Sequence, residues 1–141
     1  MRIRASSFKS IKKMEEKIYF NLSVSQIPRI LGLCDRNIMS PTYGCFDRDY
    51  WHYKRVDVPF STMQKNILTL ALVYKNKDTP FYNKKLVLDT IKAGLDFWVK
   101  IQHEDGSFSD FYPNERSQVT AAFTLYNVCK TLQLLPELSD K

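Results

Sequence analysis

The sequence contains few of the residues that interrupt regular structure. Among its 141 residues are four glycines and six prolines, which is too few for a loop-rich or intrinsically disordered chain. No apolar run approaches the length that is needed to cross a bilayer, so we expect no membrane span. A chain of this length can bury a substantial core, and we expect one helical domain over residues 1–141.

Cysteine is also sparse. Cys34, Cys45 and Cys129 lie far apart and form no C-x-x-C pair, so they indicate neither a disulfide framework nor a zinc site. The basic start of the chain is followed by no continuous apolar segment, which argues against a signal peptide. These features favour a reducing compartment, and we expect a cytoplasmic protein without a metal ion.

Motifs for the common catalytic and nucleotide-binding sites are missing. The chain has no glycine-rich phosphate loop, no H-E-x-x-H and no G-x-S-x-G sequence, so we expect no cofactor. Its net charge of +6 comes with no pattern typical of nucleic-acid recognition, and we expect no nucleic-acid partner. Near the N-terminus, where much of the excess charge lies, a solvated helix face is favoured over contact with anionic lipid. The basic residues there are Arg2, Arg4, Lys9, Lys12, Lys13 and Lys17.

Apolar residues recur with helical spacing and nowhere alternate as in a strand, so the sequence predicts an all-α fold of about five helices. The predicted helices span residues 8–20, 25–37, 61–75, 83–102 and 116–134. This divides the chain into basic N-terminal helices over 1–37, an aromatic loop over 38–59 and a helix-hairpin core over 60–135. In the last helix, the side chains predicted to face inward are Val119, Ala122, Phe123, Tyr126 and Cys129.

The apolar faces of these helices are too broad to be covered by one neighbour, as in a bundle or a ring of helix hairpins. The last predicted helix is not followed by the partner that a hairpin needs. We therefore expect either a further C-terminal portion or a homo-oligomer in which another chain covers the exposed face.

The aromatic loop carries the densest group of reactive side chains in the sequence. Its rings suit stacking on the apolar face of a sugar, its arginines suit a carboxylate, and its histidine could accept or donate a proton. The predicted catalytic residues are His52, Tyr50 and Tyr53, and the predicted substrate-binding residues are Asp47, Arg48, Asp49, Trp51 and Arg55. The alternative is structural: the rings close one end of the helix array, and the aspartate and arginine side chains pair with each other.

A second polar loop, before the last helix, adds Tyr112, Asn114 and Glu115 as predicted substrate-binding residues. The structural alternative is that Asp105-Gly106 forms a turn, that Asn114 caps the last helix, and that Glu115 stabilises the positive end of the helix dipole. Neither interpretation is excluded by the spacing of these residues along the chain.

The segment Gln102-His103-Glu104-Asp105-Gly106-Ser107-Phe108, which ends a predicted helix, resembles the Q-x-x-x-G-x-aromatic repeat of the α/α-toroid (six-hairpin) superfamily. That superfamily includes terpenoid cyclases and protein prenyltransferases. In this chain Phe108 stands where the cyclases carry tryptophan, and the acidic D-x-D-D and D-D-x-x-D motifs are absent. A terpenoid- or prenyl-binding toroid is therefore the least favoured of the functions that the resemblance implies.

The segment Phe111-Tyr112-Pro113-Asn114-Glu115 is similar to the inner-cavity loops of polysaccharide lyases of the heparinase II/III and alginate-lyase kind. The resemblance covers about residues 42–134 and implies an incomplete toroid in which both loops share one cavity. It also implies a carbohydrate ligand and, for an enzyme, β-elimination of an anionic (uronic) polysaccharide. His52 and a tyrosine would then move protons, while Arg48 or Arg55 neutralises the uronate. The alternative is a non-catalytic helical module that binds a glycan or a protein.

Overall fold

The computed structural model describes the backbone of residues 5–139 and the side chains of residues 11–139. Its α-helices are α1 (Ala5–Ser25), α2 (Ile27–Leu33), α3 (Arg48–Trp51), α4 (Asn66–Lys75), α5 (Lys85–Ile101) and α6 (Gln118–Leu134). Two 3₁₀ turns, Ser61–Lys65 and Pro136–Leu138, precede α4 and follow α6. Residues 5–139 contain no β-strand, and no helix among them is both long and apolar enough to cross a membrane. The all-α prediction is confirmed over this range, whereas the arrangement as part of a toroid stays a prediction.

The boundary between α1 and α2 lies close to a proline. α1 extends to Ser25, five residues beyond its predicted end, and α2 begins at Ile27. Pro28 has no backbone N–H and is tolerated in the first turn of α2, but not inside a continuous helix. Ser25 is therefore the last residue of α1 rather than the first of the next predicted helix. Outside the described part of the chain lie Arg2, Arg4 and the side chain of Lys9.

α2 ends at Leu33, four residues before its predicted end, because the residues that follow it pair with the aromatic loop. The backbone N–H of Asp35 donates to the carbonyl of Cys45 at 2.8 Å, and the N–H of Gly44 donates to the carbonyl of Asp35 at 2.8 Å. The Asp35 carboxylate accepts a hydrogen bond from the Thr42 hydroxyl at 2.7 Å. These bonds tie the aromatic loop back to the end of α2.

α4 lies at the centre of the fold and packs against both α5 and α6. The main core includes Ile27, Leu31, Phe46, Ile67, Leu70, Val87, Ile91 and Leu135. A smaller cluster, formed by Trp98, Phe108 and Val128, connects α5 with α6 and the loop between them. All three long helices of this core lie within the ranges predicted for them.

The face of α6 that lies against the core consists mainly of threonines, contrary to prediction. Thr120, Thr124 and Thr131 are buried, and the hydroxyls of Thr124 and Thr131 donate to backbone carbonyls one turn earlier. Thr124 also accepts a hydrogen bond from the Trp98 indole at 2.8 Å. Because the hydroxyls are satisfied, these small side chains can be buried at little cost. The side chains predicted to face inward, Val119, Ala122, Phe123, Tyr126 and Cys129, are exposed, so that prediction is wrong.

Candidate functional site

Asp110, in the second loop, joins the end of the aromatic loop to α6. Its Oδ1 accepts a hydrogen bond from the backbone N–H of Ser61 at 2.8 Å, and its Oδ2 accepts one from the Thr120 hydroxyl at 2.6 Å. The Ser61 hydroxyl donates to the carbonyl of Ser109 at 3.1 Å. Asp110 and Ser61 are both buried. The two loops therefore lie side by side at the N-terminal end of α6.

Between the two loops lies an open cavity of about 330 Å³, which we call the loop cleft. Its walls are formed by Asp47, Asp49, Val56, Val58, Phe60, Met63, Asp110 and Phe111. The Phe60 and Phe111 rings come from the two different sides, and their centroids lie 5.8 Å apart with the ring planes at 42°. Both rings are exposed and so are available to a ligand.

Two of the predicted substrate-binding carboxylates lie in the cleft wall, and each has a bonding partner. Asp47 is the N-cap of α3: its Oδ1 accepts the Asp49 N–H at 3.0 Å, and its Oδ2 accepts the Phe60 N–H at 2.9 Å. Asp47 is buried, so its carboxylate fixes the loop. Asp49 Oδ1 lies 3.3 Å from Arg55 Nη1, and both of these side chains are more than half exposed. A surface pair of this kind contributes little stability and can open to a ligand.

Trp51 and Arg48 pack against the C-terminal end of α2. The Trp51 indole donates to the carbonyl of Leu33 at 2.9 Å, and Arg48 Nη1 donates to the carbonyl of Gly32 at 3.3 Å. The guanidinium also lies over the rings of Trp51 and Tyr53, 5.5 and 5.4 Å from their centroids. Such bonds satisfy the carbonyls that a helix leaves free at its end. They support the alternative in which these side chains close one end of the helix array.

The three predicted catalytic residues lie in α3 and directly after it. His52 and Tyr53 are exposed, and Tyr50 is half-buried. The His52 ring makes edge contacts with the rings of Trp51 and Tyr53, whose centroids lie 5.2 and 4.8 Å away. General acid–base catalysis needs a group held towards the reacting proton, and these contacts place the imidazole among aromatic rings. The catalytic assignment stays a prediction without support from this geometry.

The predicted substrate-binding residues of the second loop have different surroundings. Tyr112 is 73% exposed, and Asn114 has a φ of 65°, in the left-handed region that asparagine tolerates. Glu115 Oε2 accepts hydrogen bonds from the N–H groups of Phe111 and Asp110 at 2.8 and 2.9 Å. These two bonds, with that from Phe111 the stronger cause, hold the pKa of Glu115 below its usual range. Glu115 therefore closes the turn that presents Phe111 to the cleft.

The N-cap of α6 is Ser117, so the interpretation of Asn114 as the cap is wrong. The Ser117 hydroxyl accepts the Thr120 N–H at 3.4 Å. The backbone of Ser117 also pairs with that of Phe108 through two hydrogen bonds of 3.3 and 2.9 Å. This pairing holds Ser117 in an extended conformation, and helical bonding begins only after it.

The chain was compared with protein-family models, with curated proteins and with solved structures. None of the three comparisons found a match. The likeness to α/α-toroid proteins therefore rests on the two motifs that carry it. Among the residues that the structure describes, no group of His, Cys, Asp and Glu side chains is placed to hold a metal ion.

Cys34 directly follows α2, Cys45 belongs to the aromatic loop, and both side chains are buried. Burial, as the largest cause, raises the pKa of each thiol to about 12, so the reactive thiolate is scarce at neutral pH. The backbone N–H of Asp47 donates to Cys45 Sγ at 3.4 Å. Both cysteines therefore stabilise the loop as core side chains and are poor nucleophiles.

The residues predicted for the site include neither Phe60 nor Phe111, whose rings form part of the apolar wall of the cleft. Phe60 directly precedes Ser61, the start of a predicted helix, and Phe111 directly precedes the candidate Tyr112. The sequence feature that could have indicated these two residues is a phenylalanine next to a polar loop residue. It is a weak indication of a binding site, because phenylalanine rings are usually buried. Here the two rings are exposed and paired.

Loss of the Asp110 carboxylate is expected to loosen the junction between the loops. Asp110→Ala leaves the buried Ser61 N–H and the Thr120 hydroxyl without their acceptor, which should lower the free energy of unfolding by about 2–3 kcal/mol. Urea denaturation followed by circular dichroism measures the loss. Asp57→Ala, an exposed aspartate of the aromatic loop, is the control and should change stability by less than about 0.5 kcal/mol. Equal losses in both variants would contradict this role for Asp110.

Proposed function

We propose that this chain is a glycan-binding helical module whose ligand occupies the loop cleft. The observation that supports the proposal is the pair of exposed rings, Phe60 and Phe111, that the two loops bring together at a cavity of about 330 Å³. This volume lies near the lower limit for small-molecule sites and would hold one or two sugar rings. The apolar C–H face of a sugar packs on an aromatic ring, while its hydroxyls need polar partners.

Acceptors for sugar hydroxyls lie beside these rings. Asp49 has one oxygen in its exposed pair with Arg55, and a ligand hydroxyl can compete for that oxygen. The carboxylates of Asp47 and Asp110 already accept one hydrogen bond at each oxygen. A carboxylate oxygen has two lone pairs, so both residues retain capacity for a further bond at the cleft surface.

The charge of the cleft favours a neutral or amino sugar over an acidic one. The charged side chains in its wall are all carboxylates: Asp47, Asp49 and Asp110. A uronate in the cleft would be repelled by them, and its carboxylate would have to displace Asp49 from Arg55. β-Elimination of a uronic polysaccharide, with His52 moving a proton, therefore ranks below simple binding.

Replacement of either ring is expected to weaken sugar binding. Phe60→Ala and Phe111→Ala should each raise the dissociation constant about tenfold, because an aromatic contact contributes on the order of 1 kcal/mol beyond its buried area. Isothermal titration calorimetry with neutral, amino-sugar and uronic oligosaccharides measures the change. Val99→Ala, an exposed apolar side chain on α5, is the matched control and should bind like the unmodified protein.

Two results would count against the proposal. If the ring variants bind as tightly as Val99→Ala, the sugar lies elsewhere. If the unmodified protein binds none of the three oligosaccharide classes, the glycan proposal itself fails. Incubation with alginate, heparan and pectate, while the absorbance of the unsaturated product is recorded, tests β-elimination separately. Product that disappears in His52→Ala would restore the lyase hypothesis.

A further inference from the structure

A second open cavity adjoins the loop cleft. It has a volume of about 600 Å³, nearly twice that of the cleft. Three residues line both cavities: Phe60, Asp110 and Phe111. The two exposed rings that support the proposed glycan site therefore stand at the border between two adjoining spaces, and a ligand on these rings can extend into either.

We call this second cavity the α6 compartment. One side of it is formed by the 3₁₀ turn before α4, through Thr62 and Lys65, and the other by the first three turns of α6, through Val119, Phe123 and Asn127. Because α6 turns its threonine face to the core, Val119 and Phe123 are left 65% and 62% exposed. Exposed apolar side chains that line a cavity are typical of a ligand site.

Polar groups surround the apolar side chains of the α6 compartment. Thr62 contributes a hydroxyl and Lys65 an exposed ammonium group. Asn127 Nδ2 donates to the carbonyl of Phe123 at 2.7 Å, so its Oδ1 remains an acceptor. A sugar unit has the matching combination, an apolar C–H face and hydroxyls that donate and accept hydrogen bonds. The compartment therefore suits the same class of ligand as the loop cleft.

The charged groups in the two walls argue against a hydrocarbon ligand. An alkyl chain that filled both cavities would cover the carboxylate of Asp49 and the ammonium group of Lys65, and would give neither a hydrogen bond. Removal of a charged group from water without such a partner is costly. The hydroxyls of a sugar supply both a donor for Asp49 and an acceptor for Lys65.

We propose that the loop cleft and the α6 compartment together form one extended site for a linear oligosaccharide of neutral or amino sugars. The inference rests on the proposed function and adds the length of its ligand: about two further sugar units occupy the larger compartment. Phe60 and Phe111 contact the units at the border, and Phe123 stacks on the next unit along. Phe123 is then a specificity-determining residue that selects long chains over short ones.

Isothermal titration calorimetry with linear oligomers of glucose and of glucosamine, from disaccharide to hexasaccharide, tests the extended site. The dissociation constant should fall at least about tenfold along the series that binds. Phe123→Ala should abolish this fall and leave the affinity for the disaccharide unchanged, whereas Phe60→Ala should weaken binding of every oligomer. Phe123 is exposed, so the variant should fold normally, as circular dichroism will show. Leu125→Ala, an exposed apolar position on a different side of α6, is the matched control and should keep the dependence on length.

The outcomes separate the extended site from the proposed function. If the disaccharide binds but longer chains bind no more tightly, or if Phe123→Ala keeps the dependence on length, the extended site is wrong and the glycan site is confined to the loop cleft. If no oligomer binds, the proposed function fails and the extended site fails with it. Alkyl glucosides of increasing chain length test the apolar alternative. An affinity that rises with the alkyl chain, and not with the number of sugar units, would overturn the proposal.

Discussion

Gly44→Ala is expected to lower the free energy of unfolding by more than about 3 kcal/mol, because position 44 has neither the conformation nor the space for a side chain. Gly44 has a φ of 90°, which side-chain-bearing residues rarely adopt. A methyl group there would also overlap the backbone carbonyl of Ala93 in α5. Gly44 cannot move away freely, because its N–H donates a hydrogen bond to the Asp35 carbonyl and its carbonyl accepts one from the Gln64 side chain.

Two other glycines separate the effect of conformation from that of space. Gly106 has a φ of 83°, but its nearest neighbour is a flexible side-chain atom at 3.8 Å, so Gly106→Ala should cost only about 1–2 kcal/mol. Gly32 lies in α2 with no atom within 4 Å of the added methyl, and Gly32→Ala should stabilise the protein by about 0.5–1 kcal/mol. Urea denaturation of the three variants measures their free energies of unfolding and so ranks the three substitutions. A Gly44→Ala loss no larger than that of Gly106→Ala would show that the loop can move away from α5.

The long helices were predictable because their signals are local. Apolar spacing and nearby turn residues define α4, α5 and α6 within their predicted ranges. The inner face of α6 was not predictable from hydrophobicity, because it is formed by threonines, and the hydroxyls of Thr120 and Thr124 also bond to partners in other segments. Those partners are the carboxylate of Asp110 and the indole of Trp98. A side-chain hydroxyl with a long-range partner leaves no periodic signal in the sequence.

The sequence identified the two loops that border the candidate site, but not the side chains that form the walls of the cleft between them. The hydrogen bond between Ser61 and Asp110, which brings the loops together, joins residues 49 positions apart. Spacing along the chain carries no information about such a contact. Trp51 of the aromatic loop was a predicted substrate-binding residue, but its indole donates a hydrogen bond to the carbonyl of Leu33 at the end of α2. The cleft that both loops border is instead formed around Phe60 and Phe111.

Gln64→Leu is expected to lower the free energy of unfolding by about 3–5 kcal/mol. Gln64 is 1% exposed. Its Oε1 accepts the Phe46 N–H at 3.0 Å, and its Nε2 donates to the carbonyls of Gly44 and Gly94 at 3.1 and 2.9 Å. Leucine has a similar volume, so the loss comes mainly from the Phe46 N–H and the Gly44 carbonyl, which are left without partners. The Gly94 carbonyl lies inside α5 and loses only its additional bond to Gln64.

Gln102→Leu is the matched control, because Gln102 is half-buried and its Nε2 makes one hydrogen bond, to the carbonyl of Gly106 at 3.0 Å. It should cost no more than about 1 kcal/mol. Hydrogen exchange locates the effect: in Gln64→Leu the amide of Phe46 should exchange much faster than in the unmodified protein, while amides in the middle of α5 change only with global stability. Equal stability of the two glutamine variants would mean that Phe46 and its neighbours find other partners. The aromatic loop would then be held by Gly44 and α5 rather than by Gln64.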